Sequence, residues 1–592
     1  MKKIYIATLI LSSSYIFAQP IPNPFGPNVI IFDTNMSPRD INTTISTLYN
    51  QQRFNEFGEE RYALMFMPGQ YGMDENIDVK VGYYMHILGL GERPEDTFIT
   101  GAVRTQDMPP GNPSQPDQGP GALVNFWRGA ENFMVKPTLG SLGYPNAIPK
   151  DQNVWAVSQA TFLRRVKVTQ GSLRLFELGY SSGGFLANSQ VDGTIYSGSQ
   201  QQWFTRNSNF GQWNGGVWSM VFVGDSGFIP SGDWPNPSYT IVDKTPIMRE
   251  KPYLYFNQDN QEFYLKVPAL KHNTTGTDWE VTGESLPVSS CYIAKSNNST
   301  SDLNTALQTN RCIIFTPGVY HLDDSLRVTQ ANTIIYGLGL PTLVSDTGQP
   351  AMVVSDVDGV QLAGLIFDAG PIFSPTLLQI GEHKTTRCHA SNPTFLYDTF
   401  CRVGGPAYRS QASNCLEINS NDVVGDNFWL WRADHGKNVG WYINNGDNGL
   451  TVNGDNVIVY NLMVEHFKKY QTIWNGNNGR VYQYQSEIPY DPPSQGEWQN
   501  GSVNGYASYK IGNDVTTNQV WGMGIYSYFR DATNLYLDSA IEAPLKPTID
   551  LQHIVLFWLD GRDNTGIRHV VNNTGEGVYP WSRRSNLRKW PE

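Results

Sequence analysis

A chain of 592 residues is too long for one ordinary hydrophobic core, so we expect two or more domains. Aromatic residues make up 12% of the chain and charged residues only 16%, a composition that suits a β-rich protein with many turns and a polar surface. The formal net charge of −12 argues against a nucleic acid or an anionic membrane as partner, because no basic stripe is available to bind phosphates, and it favours a neutral substrate.

The N-terminal stretch MKKIYIATLILSSSYIFAQP is typical of a secretory signal peptide. Lys2 and Lys3 precede an apolar run, and Ala18 can close a cleavage site before Gln19. The run is interrupted by serines and is too short to span a membrane, and no later segment is long and apolar enough to do so. We therefore expect residues 1–18 to be removed and the mature protein to be secreted, extracellular or periplasmic.

An internal repeat organises the rest of the chain. The stretch Leu64–Gly91 contains a Pro-Gly-x-Tyr turn and ends on Gly-Leu-Gly, and Cys312–Gly339 repeats both features in the same order. Each copy follows a short helix-like segment opened by a polar cap, at Asp40 in the first copy and Ser301 in the second. The sequence therefore predicts two copies of one module.

The modules are predicted to be residues 19–285 and 286–592, joined near Gly283–Ser290. In each, short β-branched strands alternate with Gly, Asn and Asp turns, and helical periodicity is nearly absent. Strand–turn units that recur every ~20 residues without hairpin-type turns favour a coiled parallel β-solenoid. A β-sandwich or a propeller stays open as an alternative from the pattern alone.

All the cysteines lie in the second half: Cys291, Cys312, Cys388, Cys401 and Cys415. Their number is odd and their spacing matches no zinc-ligand pattern, so we expect no metal site. In an oxidising compartment one or two local disulfides are expected, and a bond between Cys388 and Cys401 is the first pairing we predict. Buried free thiols are the alternative.

Two glutamates carry the predicted chemistry. If a coil takes about 22 residues, Glu465 and Glu487 lie on adjacent coils with backbones only ~4.8 Å apart. Two carboxylates held so close cannot both ionise cheaply, so one keeps its proton, as the proton donor of glycosidic bond cleavage must. Side chains that can stack on a sugar or bind its hydroxyls surround the pair: Gln471, Trp474, Tyr482, Gln483, Tyr484, Gln485 and Tyr490. A solvated surface pair with tyrosines packed between coils is the alternative.

Motifs in both modules support the first interpretation. The first module carries SGGF at 182–185 and QQWFTRN at 201–207, and the second carries DNFWLWRADH at 426–435, GLTVNGDNVIVYNLMVEHFKKYQ at 449–471 and YQYQSEIPYDPP at 482–493. In this order the motifs resemble those of glycoside hydrolase family 55, which are exo-acting β-1,3-glucanases or laminarinases. The resemblance implies an all-β fold of two tandem right-handed parallel β-helix domains, pectate-lyase-like, packed side by side.

Carried over by position, the resemblance makes Glu487 the general acid and Glu465 the neighbour that keeps it protonated. It implies inversion at the anomeric carbon by a water that Gln201 or Gln202 of the first module holds, with Ser182 as a further candidate. The residues expected to bind substrate are Ser182, Asp434, His435, His466, Gln471, Trp474, Tyr484, Gln485 and Tyr490.

The expected function is therefore a secreted hydrolase of β-1,3-glucan that acts on a polysaccharide as a monomer and uses no cofactor. Two other classes stay open, since a fold does not determine its function. One is a polysaccharide lyase or glycosyl transferase on the same scaffold. The other is a non-catalytic, carbohydrate-binding or adhesin-like β-helix.

Overall fold

A computed structural model describes residues 23–109, 120–140, 148–280, 282–406 and 409–591. The predicted signal peptide lies outside these residues. Strands and turns make up nearly all of the described chain, so the β-rich prediction is confirmed.

One α-helix opens each module. They are Pro38–Gln52 and Thr300–Thr309, and each starts slightly before the predicted position because a serine upstream is the N-cap. The side chains of Ser37 and Ser299 accept hydrogen bonds from backbone N–H groups of the first turn. The first helix packs on the strand Ile77–Lys80. No helix in the described parts of the chain is long and apolar enough to cross a membrane.

The described first module contains one parallel array of 17 strands, which we call sheet A. Its strands are Val29–Phe32, Tyr62–Phe66, Gly69–Tyr71, Ile77–Lys80, Met85–Gly89, Thr97–Arg104, Arg128–Pro137, Gln152–Val154, Thr161–Val168, Ser172–Arg174, Phe185–Ala187, Gln190–Tyr196, Gln202–Arg206, Asn209–Asn214, Ser219–Val223, Ser226–Gly227 and Tyr239–Val242. Each strand pairs with strands one coil away, as in a parallel β-helix. The solenoid prediction is therefore confirmed, and the sandwich and propeller alternatives are wrong.

Antiparallel ribbons follow sheet A. Their strands are Thr245–Met248, Tyr253–Asn257, Glu262–Pro268, Lys271–Thr274 and Gly283–Pro287. The last of them, at the predicted join, pairs with the third. The boundary between residues 285 and 286 stays a prediction.

The second module carries two larger arrays. Sheet B consists of Tyr292–Ala294, Cys312–Phe315, Val319–Leu322, Ile334–Gly337, Thr342–Ser345, Gln361–Ala369, Thr394–Val403, Val423–Arg432, Ile458–Glu465, Gly479–Glu487, Asn518–Phe529, Ile549–Gly561 and Arg584–Trp590. Sheet C consists of Leu326–Val328, Met352–Val354, Ser374–Ile380, Ala412–Ile418, Gly446–Val452, Thr472–Trp474, Tyr509–Ile511, Tyr536–Glu542 and Gly566–Val571. Their pairs are parallel except that the last strand of sheet B runs antiparallel to its neighbour. A short hairpin, Gln499–Asn500 with Val503–Asn504, lies outside both sheets.

Sheet B faces the first module across a buried ionic contact. Arg164 donates to Asp398 at 2.8 Å and to Asp426 at 2.6 Å, and Arg206 donates to Asp426 at 3.0 Å and to Glu250 at 2.7 Å. All five side chains are nearly or fully buried. Because a buried charge must be paired, this network holds the two modules in one relative position.

The predicted disulfide is wrong. Cys291 bonds to Cys312, and Cys401 bonds to Cys415, whereas Cys388 is free and exposed. Cys291 lies beside a strand that pairs with the strand of Cys312, whereas Cys401 on sheet B bonds to Cys415 on the next strand of the chain, which belongs to sheet C; the Cα atoms are 4.7 Å and 6.0 Å apart. Both the predicted pairing and the alternative of buried free thiols are contradicted, because coil geometry rather than spacing in the chain selects partners.

Candidate active site

Eight residues at equivalent positions of neighbouring strands form a row along sheet B, here called the site row. In order along the sheet they are Asp368, Arg402, Trp431, Glu465, Glu487, Tyr526, Phe557 and Arg584. Glu465 and Glu487 are direct register partners, each the last residue of its strand. Residues in register on parallel strands point to the same side of the sheet. The two glutamates therefore lie one coil apart, as predicted.

Glu465 is held from both sides. Its Oε1 accepts a 2.7 Å hydrogen bond from Gln159 Nε2 of the first module, and its Oε2 accepts a 2.8 Å bond from Trp429 Nε1. Burial raises the pKa of Glu465 to about 7, helped by the charge of Asp434, although hydrogen bonds from Trp429, Gln485 and Gln159 oppose the rise. The carboxyl is thus fixed in place and poised to titrate near neutral pH.

Glu487 is the more strongly perturbed of the two. Only 8% of the residue is exposed. The Tyr490 hydroxyl donates to its Oε2, and Gln485 Nε2 lies 3.5 Å from its Oε1. Burial raises the pKa of Glu487 well above its ordinary value, and the charges of Glu465 and Asp434 raise it further. Glu487 is therefore the carboxyl of the pair that keeps its proton.

A second charged group borders the pair. His435 Nδ1 lies 2.9 Å from Asp434 Oδ1, and its Nε2 lies 2.7 Å from Oε1 of Glu56 in the first module. Burial opposes the charge on His435, but the two carboxylates raise its pKa well above the ordinary value. Burial would likewise raise the pKa of Asp434, yet the His435 ring holds it well below its usual range. Burial lowers the pKa of His466, 3.8 Å from Asp434, to about 4.

The first module supplies amides and a hydroxyl beside the glutamates. Ser182 Oγ accepts hydrogen bonds from Gln159 Nε2 at 3.3 Å and from Gln202 Nε2 at 3.1 Å. Gln202 Oε1 in turn accepts a 3.0 Å bond from the Tyr526 hydroxyl. Gln201, the other predicted amide, has a partly exposed side chain, and its backbone N–H donates to the carbonyl of the preceding coil. The contacts thus join Gln202, rather than Gln201, to this network.

The two glycines after Ser182 permit this close approach. Gly183 has φ +99°, and a Cβ there would lie 2.8 Å from Met463 Cε of the second module and 3.2 Å from Gln202 Nε2. A Cβ on Gly184 would lie 2.2 Å from the Trp203 ring. The positive φ of Gly183 favours glycine beside the second module, and Gly184 makes room for the Trp203 ring within the first module.

The prediction that Tyr484 binds substrate is wrong. Tyr484 is fully buried inside the second module, and its hydroxyl bonds Ser508 Oγ at 2.8 Å. Side chains alternate along a strand, so Gln485 and Glu487 point to the outer side while Tyr484 points to the interior. Tyr484 and Glu487, three positions apart on one strand, therefore lie on opposite sides of the sheet.

The predictions for Gln471 and Trp474 are also wrong. The amide of Gln471 bonds the backbone N–H of Phe467 at 2.8 Å and its carbonyl at 2.7 Å, so it holds a turn closed. Trp474 is fully buried in the core of the second module, on sheet C. Tyr482 stacks on Trp521 with ring centroids 4.7 Å apart and belongs to the face between the modules.

The structure brings the remaining predicted residues together: Glu465, Glu487, Ser182, Gln202, Asp434, His435, His466, Gln485 and Tyr490. It also adds Gln159, Trp429, Tyr526 and Glu56, which sequence reasoning missed. Trp429 and Tyr526 had a usable signal, since the first lies in the quoted WLW segment and the second occupies the next coil of the site row. Gln159 and Glu56 had none, because they meet the second module only in the folded chain. In the described residues, no group of three or more His, Cys, Asp or Glu side chains is arranged to hold a metal ion.

Known proteins resemble this chain over nearly its whole length. The family model described as LAM55 pectate lyase-like domain matches residues 291–487. A protein named Exo-beta-1,3-glucanase from Streptomyces sp. (strain SirexAA-E / ActE) is 42% identical over 558 residues, which cover 93% of this chain and 87% of that protein. The structure of sacteLam55A from Streptomyces sp. SirexAA-E matches with a TM-score of 0.88 at 39% identity, covering 96% of this chain and 99% of the other. A variant of sacteLam55A in complex with glucose matches with a TM-score of 0.89 at 40% identity, covering 97% and 100%.

Proposed function

The chain belongs to glycoside hydrolase family 55, and on this basis we propose that it hydrolyses β-1,3-glucan from a chain end, with Glu487 as general acid and with inversion. Its relative from Streptomyces is named for this substrate and for exo-attack. The observation that carries the assignment of the acid is the register pairing of Glu465 with Glu487, which puts two buried carboxyls one coil apart. Burial and the neighbouring charge keep the proton on Glu487.

In this mechanism Glu487 transfers its proton to the glycosidic oxygen as the bond to the anomeric carbon breaks. A water attacks the same carbon from the opposite face of the ring and loses one proton to solvent, so the product has inverted configuration, and Glu487 takes up a proton from solvent to complete the cycle. Ser182 is the group proposed to orient this water. Its oxygen already accepts bonds from Gln159 and Gln202, so its O–H is directed away from them and is free to donate.

The test is laminarin hydrolysis followed by proton NMR of the first product. Inversion predicts that the α-anomer of glucose appears first from a β-linked polymer. Glu487→Gln removes the proton donor at nearly constant shape and should lower kcat about 10²–10⁴-fold in a folded protein. Gln202→Ala should also lower kcat, because Gln202 contacts Ser182, and Gln201→Ala is its matched control, because the Gln201 side chain does not. Near-normal activity of Glu487→Gln contradicts the assignment.

The same assay separates the other function classes. A lyase would release unsaturated sugars that absorb in the ultraviolet, and a transferase would form longer or cyclised products. A carbohydrate-binding protein would bind glucan without turnover, and neutralising Glu465 or Glu487 would leave that binding unchanged. Each of these outcomes would overturn the proposed hydrolysis.

We also propose that the protein is secreted through the N-terminal segment of residues 1–18. The basic and apolar pattern of that segment supports export, as do the disulfides Cys291–Cys312 and Cys401–Cys415, which form and persist in oxidising compartments. Sequencing the N-terminus of the protein from culture medium should give Gln19 as the first residue. An intact leader on protein retained in the cytoplasm would contradict export.

A further inference from the structure

A polar cavity lies in the first module, where the antiparallel ribbons meet sheet A. Its volume is about 230 Å³, and it is lined by Lys271 and Thr274 of one ribbon strand, by the loop 275–278 and by Asn207, which follows a strand of sheet A. We call this space the ribbon cavity. It is smaller than the ~300–1,000 Å³ of pockets for drug-sized ligands, so its size suits a single small ring.

Hydrogen bonds hold the walls of the ribbon cavity in place. Asn207 Nδ2 donates to Thr274 Oγ1 at 3.0 Å and so ties the ribbon to sheet A. The backbone N–H of Asp278 donates to Asn188 Oδ1 at 2.7 Å, and its carbonyl accepts from Arg165 Nη1 at 3.2 Å. Because these contacts exist without a ligand, little ordering is needed when one binds.

The charged side chains of the ribbon cavity come in neutral pairs. Lys271 Nζ donates to Asp278 Oδ2 at 2.6 Å. Glu250, which also lines the cavity, accepts from two nitrogens of the buried Arg206 at 2.7 Å and 3.0 Å. Neither pair carries a net charge, yet each keeps bonding capacity, since a carboxylate oxygen accepts more than one hydrogen bond and an ammonium group has three donors.

This lining fits a small neutral molecule that is rich in hydroxyl groups. A hydroxyl both donates and accepts, so it can use the carboxylates and the ammonium group together. An anion would face two carboxylates, and an apolar ligand would strip the charged groups of water. Among the described residues, no set of three or more His, Cys, Asp or Glu side chains is placed to hold a metal ion. Met248 and Ala269 offer an apolar edge to the face of a sugar ring.

We propose that the ribbon cavity is a second sugar site, which binds one neutral monosaccharide. It is separate from the paired carboxyls. Glu250 and Asp426 both bind Arg206, and Asp426 is in register with Tyr460. Tyr460 lies five residues before Glu465 on the same strand, a span of about 16 Å. The site thus borders the ionic network that joins the modules, and it goes beyond the proposed hydrolysis.

The experiment measures glucose binding by titration calorimetry and locates it by amide hydrogen exchange. Glucose should slow exchange in the segment 271–278 of the wild type. Ala269→Phe fills the cavity but leaves the charged pairs in place, so it should abolish that protection. Lys271→Met removes the ammonium donors and should weaken binding about tenfold. Lys266→Met is the matched control, because Lys266 is on the preceding ribbon strand and does not line the cavity.

Two further measurements test the ligand class and the position of the site. Glucosamine and glucuronate, which add a cation or an anion to the same ring, should protect the segment 271–278 less than glucose does. Glucose should raise the urea midpoint of the wild type more than that of Ala269→Phe, because only the folded wild type has the site. Comparing the two proteins cancels the general stabilisation that sugars exert as excluded cosolutes.

Several outcomes would overturn the inference. They are protection confined to the strands of the site row, or equal protection of the segment 271–278 in the wild type and Ala269→Phe. Charged sugars that bind there as tightly as glucose would refute the neutral ligand class. If Ala269→Phe does not fold, as thermal unfolding will show, Lys271→Met against Lys266→Met decides. All these variants should hydrolyse laminarin at the wild-type rate, and a wild type inactive on laminarin would refute the proposed hydrolysis without changing the result at the cavity.

Discussion

Replacing Glu465 with Gln tests whether one carboxyl keeps the other protonated. The two residues are register partners on neighbouring strands, which lie ~4.8 Å apart, and both are buried. At about 5 Å and an effective dielectric constant of about 20, two negative charges repel each other by about 3 kcal/mol. The substitution removes this repulsion but leaves the burial of Glu487, which is the larger cause of its raised pKa.

The expected result is a basic limb of the pH profile of kcat that moves to lower pH. Above about pH 7, where Glu465 of the wild type is charged, the variant's Glu487 loses its proton more readily and activity falls earlier. One pH unit corresponds to about 1.4 kcal/mol, so a repulsion of about 3 kcal/mol is large enough to resolve in a pH–rate profile.

The assay is kcat and kcat/KM on laminarin from acid to mildly basic pH, with Glu417→Gln as control. Glu417 is a partly exposed glutamate on sheet C, away from the site row. The new Gln side chain has one acceptor oxygen, so it can accept a hydrogen bond from Gln159 or from Trp429 but not from both. We therefore expect the free energy of unfolding to fall by about 1–3 kcal/mol, and this loss is measured separately. A basic limb unchanged from wild type would refute the coupling.

Three further predictions concern stability. Asp426→Asn leaves two buried arginines short of a charge partner and should lower the free energy of unfolding, measured by urea titration, by about 3–5 kcal/mol. An unchanged urea midpoint would show that the network does not join the modules. Cys401→Ser with Cys415→Ser opens a 14-residue loop and should cost about 3 kcal/mol, and reducing agent should then have less effect on this variant than on wild type. The pKa of Glu465 is about 7 in the folded protein and 4.5 in the unfolded chain, so the folded protein binds this proton more tightly. Glu465 therefore contributes fully to the free energy of unfolding below pH 4.5, and this contribution falls as the pH rises to 7. Glu465→Gln should flatten that part of the stability curve, and an equally steep curve would contradict it.

The fold followed from local patterns in the sequence. Short β-branched strands between Gly, Asn and Asp turns favour a parallel solenoid, because each coil repeats the same strand–turn unit. The repeat of Leu64–Gly91 at Cys312–Gly339 shows that there are two of them. The register of Glu465 with Glu487 followed as well, since their spacing equals one coil and no bulge shifts the pairing between them.

The side of the sheet that each residue faces depended on local backbone conformation, which the spacing of residues in the sequence does not give. Gln483 lies in the left-handed region at φ +64° within the strand that ends at Glu487. Beyond it Tyr484, a predicted sugar ligand, points into the core, whereas Gln485 points toward the acid. The predicted pairing of Cys388 with Cys401 is likewise wrong, because Cys401 bonds to Cys415, which lies opposite it on a strand of sheet C.

The sequence alone determined the solenoid architecture, the duplication and the pair of carboxyls, because these depend on contacts between consecutive coils of one module. Only the tertiary structure decided what surrounds the pair. Gln159, Gln202 and Trp218 lie hundreds of positions before their partners Glu465, Tyr526 and Phe557, and they reach the site row because the two modules pack side by side. The raised pKa of Glu487 arises at that interface, where burial removes water and side chains from opposite halves of the chain come together.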